Sequence, residues 1–208
     1  VSNSNSLSFD AVSLQDIVIP ESPSINTIYD KLTIIASVNT SGSLALENPY
    51  IISRTEGNGG GSDRWFLNHA SNNSIDFGIG QGSTQMVVST NTSPIINGEW
   101  SVVASVYNSG NVTLYKDGLI NGTGNIPISD LSHIENVDIT IGSTNSNNSF
   151  WNGLIDNISI WNIALSQSEI QNYMSCPPTG NEAGLVGYWN FNEGSGNTVT
   201  DLTSNGNN

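Results

Sequence analysis

The sequence predicts an all-β fold: an antiparallel two-sheet jelly-roll sandwich with one short helix near the C-terminal end. Three observations carry that expectation. About a dozen short β-rich runs recur along the chain with turn residues between them. Several of the runs alternate apolar and polar residues with the period of a pleated strand. A single segment carries a complete helix-start signal followed by an apolar stripe. At 208 residues the chain fits one sandwich domain, 1–208, in which 184–208 is either a terminal strand segment or the start of a neighbouring repeat.

The runs fall in order at Leu7–Phe9, Ile17–Ile19, Leu32–Val38, Tyr50–Arg54, Trp65–Asn68, Ile75–Ile79 and Met86–Ser89. Trp100–Tyr107, Val112–Lys116, Val137–Ile141, Leu154–Trp161 and Leu185–Phe191 follow. In the run from Val112, one face carries Val112, Leu114 and Lys116, and the other carries Thr113 and Tyr115. In Ile155–Trp161, strict alternation puts Asp156 on one face with Ile158 and Ile160, at a sheet end where a carboxylate needs a partner. Asp117-Gly118 after an alternating strand predicts a tight hairpin, because that turn needs positive φ. Asn97-Gly98 and Asn121-Gly122 are further turn signals. Gly57–Ser62 and Asn145–Ser149 read as polar loops. In the one helix, Ser166 and Glu169 form a capping box, Ile170, Tyr173 and Met174 share a face, and Pro177 ends it.

Charge excludes whole classes of partner. Eighteen acidic residues face four basic ones (Lys31, Arg54, Arg64 and Lys116), for a net charge of -14. Such a chain repels phosphate backbones and anionic lipid surfaces, so neither nucleic acid nor a membrane is an expected partner. No apolar run approaches the ~20 residues of a spanning helix. Cys176 is alone, which leaves no disulfide and no paired-thiolate metal site. The chain starts at Val1 without a leader pattern and reads as a piece excised from a longer precursor.

Several fragments resemble the laminin-G-like domains of the concanavalin-A-like lectin/glucanase superfamily. Glu99-Trp100, Val103-Ala104, Tyr107 and Leu114-Tyr115-Lys116-Asp117-Gly118 are similar to that family's W-x-x-V-A…Y…L-Y-x-D-G hairpin. Ile141-Gly142, Phe150–Asp156 and Ile160-Trp161-Asn162 resemble its I-G…F-x-G-x-I-D strand. Ala164-Leu165-Ser166 with Glu169-Ile170 looks like its A-L-S-x-x-E-I helix, and Leu7-Ser8-Phe9-Asp10 like its opening strand. Gly184–Gly196 resembles a G-L-V-x-Y-W-x-F-x-E-G-x-G segment that relatives often carry first; here it follows the helix. Ala11 stands where Gly commonly follows Asp10, which alters a loop often involved in metal binding.

The resemblance implies a structural Ca²⁺, with Asp156 as the matching ligand and Asp10 as the second. Ca²⁺ takes six to eight oxygens, which loop carbonyls and one or two carboxylates supply. Trp65 and Trp151, each beside a polar loop, are the candidate platforms for stacking on sugar, while Trp100, Trp161 and Trp189 are expected in the core. His69 and His133 are expected on solvated loops. The E-x-D-x-x-E strand of the glucanases is absent, and Glu135–Asp138 has the wrong spacing, so no catalytic residue is expected. The expectation is therefore a non-catalytic, calcium-stabilised recognition or adhesion module of a larger secreted or cell-surface protein. Its partners would be glycans or surface proteins and the neighbouring domains of a longer chain. A structural spacer is the alternative, and a glycoside hydrolase or lyase ranks last.

Overall fold

Two antiparallel sheets pack face to face, and the inward side chains of their alternating strands make the core. The computed structural model describes residues 5–41, 48–55, 64–70, 72–82, 84–90, 95–131, 137–144 and 149–208. In chain order the strands are β1 (Leu7–Phe9), β2 (Ile17–Ile19), β3 (Lys31–Thr40), β4 (Tyr50–Thr55), β5 (Arg64–His69), β6 (Ile75–Gln81) and β7 (Thr84–Ser89). They continue with β8 (Ser101–Asn108), β9 (Asn111–Lys116), β10 (Leu119–Asn125), β11 (Ile139–Ile141), β12 (Gly153–Trp161) and β13 (Leu185–Trp189). One helix, α1 (Gln167–Ser175), stands between β12 and β13. No described helix is long and apolar enough to cross a membrane.

The seven-stranded sheet runs β1-β12-β3-β8-β9-β10, with β13 also paired to β12; the six-stranded sheet runs β2-β11-β4-β5-β6-β7. Along one edge of β12, β1 pairs with Gly153–Ile155 and β13 with Ile158–Trp161. The tail therefore completes the sheet, and Leu185, Val186, Tyr188, Trp189 and Phe191 are all buried. A second apolar cluster lies on the outer face of this sheet. There Ile35, Ala104, Val106, Tyr115, Trp161, Leu185 and Tyr188 are covered by Leu165 and Ile170, with Tyr173 and Met174 at the margin. The capping box of α1 is fully formed: Ser166 Oγ accepts from the Glu169 backbone, and the Glu169 carboxylate accepts from the Ser166 backbone. Tyr173 lies over Trp161 with ring centroids 4.7 Å apart.

One hairpin signal is kept and three local expectations change. The Asp117-Gly118 turn forms, with φ of 50° and 74°, but the strand it leads into, β10, carries too much Asn and Gly to stand out in sequence. Asn121-Gly122 is not a turn: it sits inside β10 at a bulge, where a Cβ on Gly122 would lie 2.6 Å from the Ser89 carbonyl oxygen. His69 is fully buried at the end of β5 rather than solvated on a loop, because alternation with Trp65 and Leu67 turns it inward. Asp156 does not share a face with Ile158 and Ile160, for a reason given below. The Gly57–Ser62 loop, His133, Glu135 and most of Asn145–Ser149 lie outside the described residues.

Candidate functional site

The site is built on an irregularity in β12. Asp156 pairs with Ser37 of β3, but the next pairing is Ser159 with Ile35, so β12 carries one extra residue there. Asn157 takes up the extra length in the left-handed region, at φ 49°, a conformation Asn tolerates better than most residues. The side-chain phase shifts as a result. Ile155 and Ile158 both enter the inter-sheet core, and the intervening Asp156 is turned to the outer face.

The bulge also holds the carboxylate in place. Asp156 Oδ1 accepts from the Asn157 backbone N–H at 2.8 Å and Oδ2 from Asn157 Nδ2 at 2.9 Å. The Tyr188 hydroxyl donates to Asn157 Oδ1 at 2.7 Å, so β13 fixes the amide that fixes the carboxylate. Burial pushes the Tyr188 hydroxyl up to about 12, and the Asp156 charge adds to the shift. Tyr188 is thus a donor throughout the physiological range. Asp156 itself is 7% exposed, a nearly enclosed anion held by amide donors.

Asp156 opens into a groove of about 420 Å³ lined by Asn5, Ser6, Ser37, Trp100, Ser101, Val102, Asp117, Leu154 and Asp156. The ladder explains the order of its walls. Asp156 is level with Ser37, and Ser37 with Val102. Asp117 is tied to Val102 by both its backbone N–H (2.7 Å to the Val102 carbonyl) and its Oδ1, which accepts from the Val102 N–H at 2.9 Å. Three strand steps separate the two carboxylates, roughly 14 Å between backbones. Asp117 Oδ2 is also 3.1 Å from Lys116 Nζ. The hairpin turn is fastened to α1, because Gln167 and Gln171 each donate to the Gly118 carbonyl at 2.9 Å.

Trp100 stands beside this row. The Asn97-Gly98 turn is pinned to the end of β3: Gly98 N–H donates to the Thr40 carbonyl at 2.8 Å and Asn39 Nδ2 to the Gly98 carbonyl at 3.1 Å. Strand parity then places Trp100 on the outer face with Val102 and Ala104, opposite to Val103 and Tyr107. It is 47% exposed, not the core residue its motif suggested. The parity was readable in sequence, but with apolar residues on both faces of β8 it did not say which face was covered.

The other expected site residues are placed elsewhere. Trp65 and Trp151 are both fully buried in the inter-sheet core, so neither offers a face to a sugar. Their neighbouring polar loops suggested a rim position, but inward parity in β5 and packing against His69, 6.1 Å away from Trp151 between ring centroids, enclose them. Asp10 is exposed and closes its own turn, with Oδ1 accepting from the Val12 N–H and Oδ2 from Ser13 Oγ. Those bonds hold its carboxyl below its ordinary range. Leu7 pairs with Ile155, so Asp156 is level with Ser6, and Asp10 lies about four residues further on, roughly 13 Å away. The two carboxylates expected to share an ion are not brought together. No group of three His, Cys, Asp or Glu side chains converges among the described residues. Asp201 is occupied structurally: it accepts from the backbone N–H groups of Tyr188, Thr203 and Asn207 and from Thr203 Oγ1.

As a Ca²⁺ ligand, Asp156 has the right donor chemistry around it, since Asn5, Ser6 and Ser37 add hard oxygens to its carboxylate in the same groove. Asp117, three strand steps away, lies outside that donor set.

Comparison with known proteins agrees with this architecture. No curated protein matches the chain. A protein from Bacteroides ovatus ATCC 8483, described as carbohydrate binding, superposes with a TM-score of 0.71 at 17% identity, over 97% of this chain and 56% of its own. The chain thus spans little more than half of that protein. The SAP-like pentraxin of Limulus polyphemus gives 0.57 at 16% identity, over 88% and 82% of the two chains. The CBM40 of the Ruminococcus gnavus IT-sialidase, bound to α2,3 sialyllactose, gives 0.57 at 15% identity, over 76% and 97%. At these identities the likeness is one of fold. A laminin-G family model matches residues 14–171, from ahead of β2 into α1 and across every wall of the groove but Asn5 and Ser6. The chain therefore belongs to the concanavalin A-like lectin/glucanases superfamily.

Proposed function

We propose that this domain is a non-catalytic carbohydrate-recognition module, working within a larger secreted or cell-surface protein and stabilised by calcium at Asp156. The observation that carries the reading is the groove itself. An exposed indole, Trp100, lies beside a row of hydroxyls and carboxylates held rigid by the sheet. A sugar ring needs both parts: an apolar face for its C–H surface and fixed acceptors for its hydroxyls. Fold neighbours named as carbohydrate-binding support the same reading. Against hydrolysis stands the separation of Asp117 and Asp156. Roughly 14 Å between backbones is more than two short Asp side chains can close to the ~5 Å of a retaining carboxylate pair.

Calcium is supported by the donor set at Asp156 and by the excess of eighteen acidic over four basic residues, which a bound divalent ion offsets. The test is a glycan array read with and without EDTA, followed by titration of the best binder. Trp100→Ala is expected to lose at least about tenfold in affinity, while its melting temperature changes little. Calcium is expected to raise the melting temperature of the wild type by roughly 5–10 °C at a hundredfold excess over its Kd. Asp156→Ala should remove that response and Asp76→Ala should keep it. A flat array would leave a structural spacer as the better reading, and a melting temperature indifferent to calcium would remove the ion.

A further inference from the structure

We infer that the groove selects glycans by charge, taking amine-bearing sugars first and neutral ones second and rejecting sialylated, uronic or sulfated ones. This rests on the reading of the groove as a sugar site and names the class of sugar it takes.

Recognition of an anionic sugar calls for a guanidinium or ammonium group aimed at it. The chain has four basic side chains, and three are placed where they cannot serve. Arg54 is buried at 1% exposure, with its guanidinium donating to the carbonyls of Val137 and Ile25 and to Asn26 Oδ1. Lys31 starts β3, about six residues from Ser37 and so roughly 20 Å from the groove row. Arg64 belongs to β5 in the other sheet. Lys116 is the fourth, and its ammonium is turned to the Asp117 carboxylate at 3.1 Å with its side chain only 15% exposed. Among the described residues, no basic side chain lines the groove.

The anions are placed the opposite way. Asp156 stands toward one end of the row and Asp117 at the other; the Ser37 hydroxyl lies between them, and Ser6 lies beyond Asp156 on the β1 side. The Asp117 side chain is 47% exposed, so Lys116 covers it only in part. A carboxylate or sulfate brought against Trp100 would meet this field without a counter-charge. A protonated sugar amine would meet an acceptor, and a chain of amino sugars would meet one at each end. Because the selectivity is electrostatic and the Asp117 end of the row is open to solvent, the preference is salt-dependent. Calcium at Asp156 would compete with the amine for one of the two carboxylates, so the preference is largest in EDTA.

The experiment titrates the whole chain with three probes at about pH 6, where sugar amines are protonated: hexaglucosamine, its fully N-acetylated counterpart and 3′-sialyllactose. In EDTA and low salt the amine form is expected to bind about three- to tenfold tighter than the acetylated form, with no measurable binding of sialyllactose. That advantage should fall at about 0.5 M salt and disappear in Asp117→Asn/Asp156→Asn, whose melting curve reports its folding. Equal affinities for the amine and acetylated chains, or sialyllactose binding as well as either, would overturn the charge selection while leaving the sugar site in place, provided Trp100→Ala still abolishes binding. If none of the three probes binds and the array is also flat, the sugar site itself fails.

Discussion

His69 shows how much a single residue's surroundings decide. Its ring is fully buried against Trp151, and neither ring nitrogen has a hydrogen-bond partner of normal geometry. Burial pushes its pKa down, while the nearby Asn73 amide and the Asp76 charge oppose that shift without reversing it. A histidine whose folded pKa lies below its unfolded value stabilises the fold above the unfolded value, near 6.5. That contribution is lost as pH falls through the folded pKa. The protein is therefore expected to lose melting temperature as the pH falls below about 6.5, ahead of the range in which most carboxylates titrate. His69→Phe should flatten that limb, as thermal melts across the range would show. At the same scale, Asp156 could be singled out from its motif, but the face it turns to could not. Alternation is a rule about regular strands, and Asn157 breaks it with one left-handed residue that composition does not announce.

Among elements, the helix was the most fully legible and the groove the least. Ser166, Glu169, Ile170, Tyr173, Met174 and Pro177 specify α1 through contacts within one short window, and every one of them takes its expected place. Removing the cap hydroxyl with Ser166→Ala is expected to cost about 1 kcal/mol, read as a lowered denaturation midpoint with an unchanged m-value. The groove, by contrast, needs five separate segments: β1, β3, β8, the β9–β10 turn and β12. Its parts are ordinary alone. Ser37, Val102 and Asp117 acquire meaning only from register, which long-range pairing sets and which a one-residue bulge can shift. The aromatic assignment failed for the same reason. Proximity to a polar loop selected Trp65 and Trp151, whereas burial depends on which sheet face a strand turns inward.

For the molecule as a whole, the tail is the decisive segment. β13 pairs with the half of β12 that β1 leaves free, and the loop after it returns to the fold. Trp189 Nε1 donates to the Asn207 carbonyl, Asn207 Nδ2 to the Val186 carbonyl, and Ser22 Oγ to Asn207 Oδ1. Deleting residues 184–208 would bare the β12 edge, uncover Trp161 and remove Tyr188 from the Asp156 support. The truncated chain is expected to aggregate or to melt without cooperativity. A sharp transition at the wild-type temperature would show that the tail is dispensable.

The shared edge of β12 also has a consequence for how the gene could be rearranged. Asn5 and Asn208 line one cleft, together with Leu7, Phe9, Phe191 and Val199. The two ends of the described chain thus border the same cleft, and β1 and β13 lie end to end along one edge of β12. The sandwich is in effect a closed circuit cut at one point. Moving the segment from Gly184 onward ahead of Val1 through a short flexible linker would preserve every strand pairing while changing which segment is translated first.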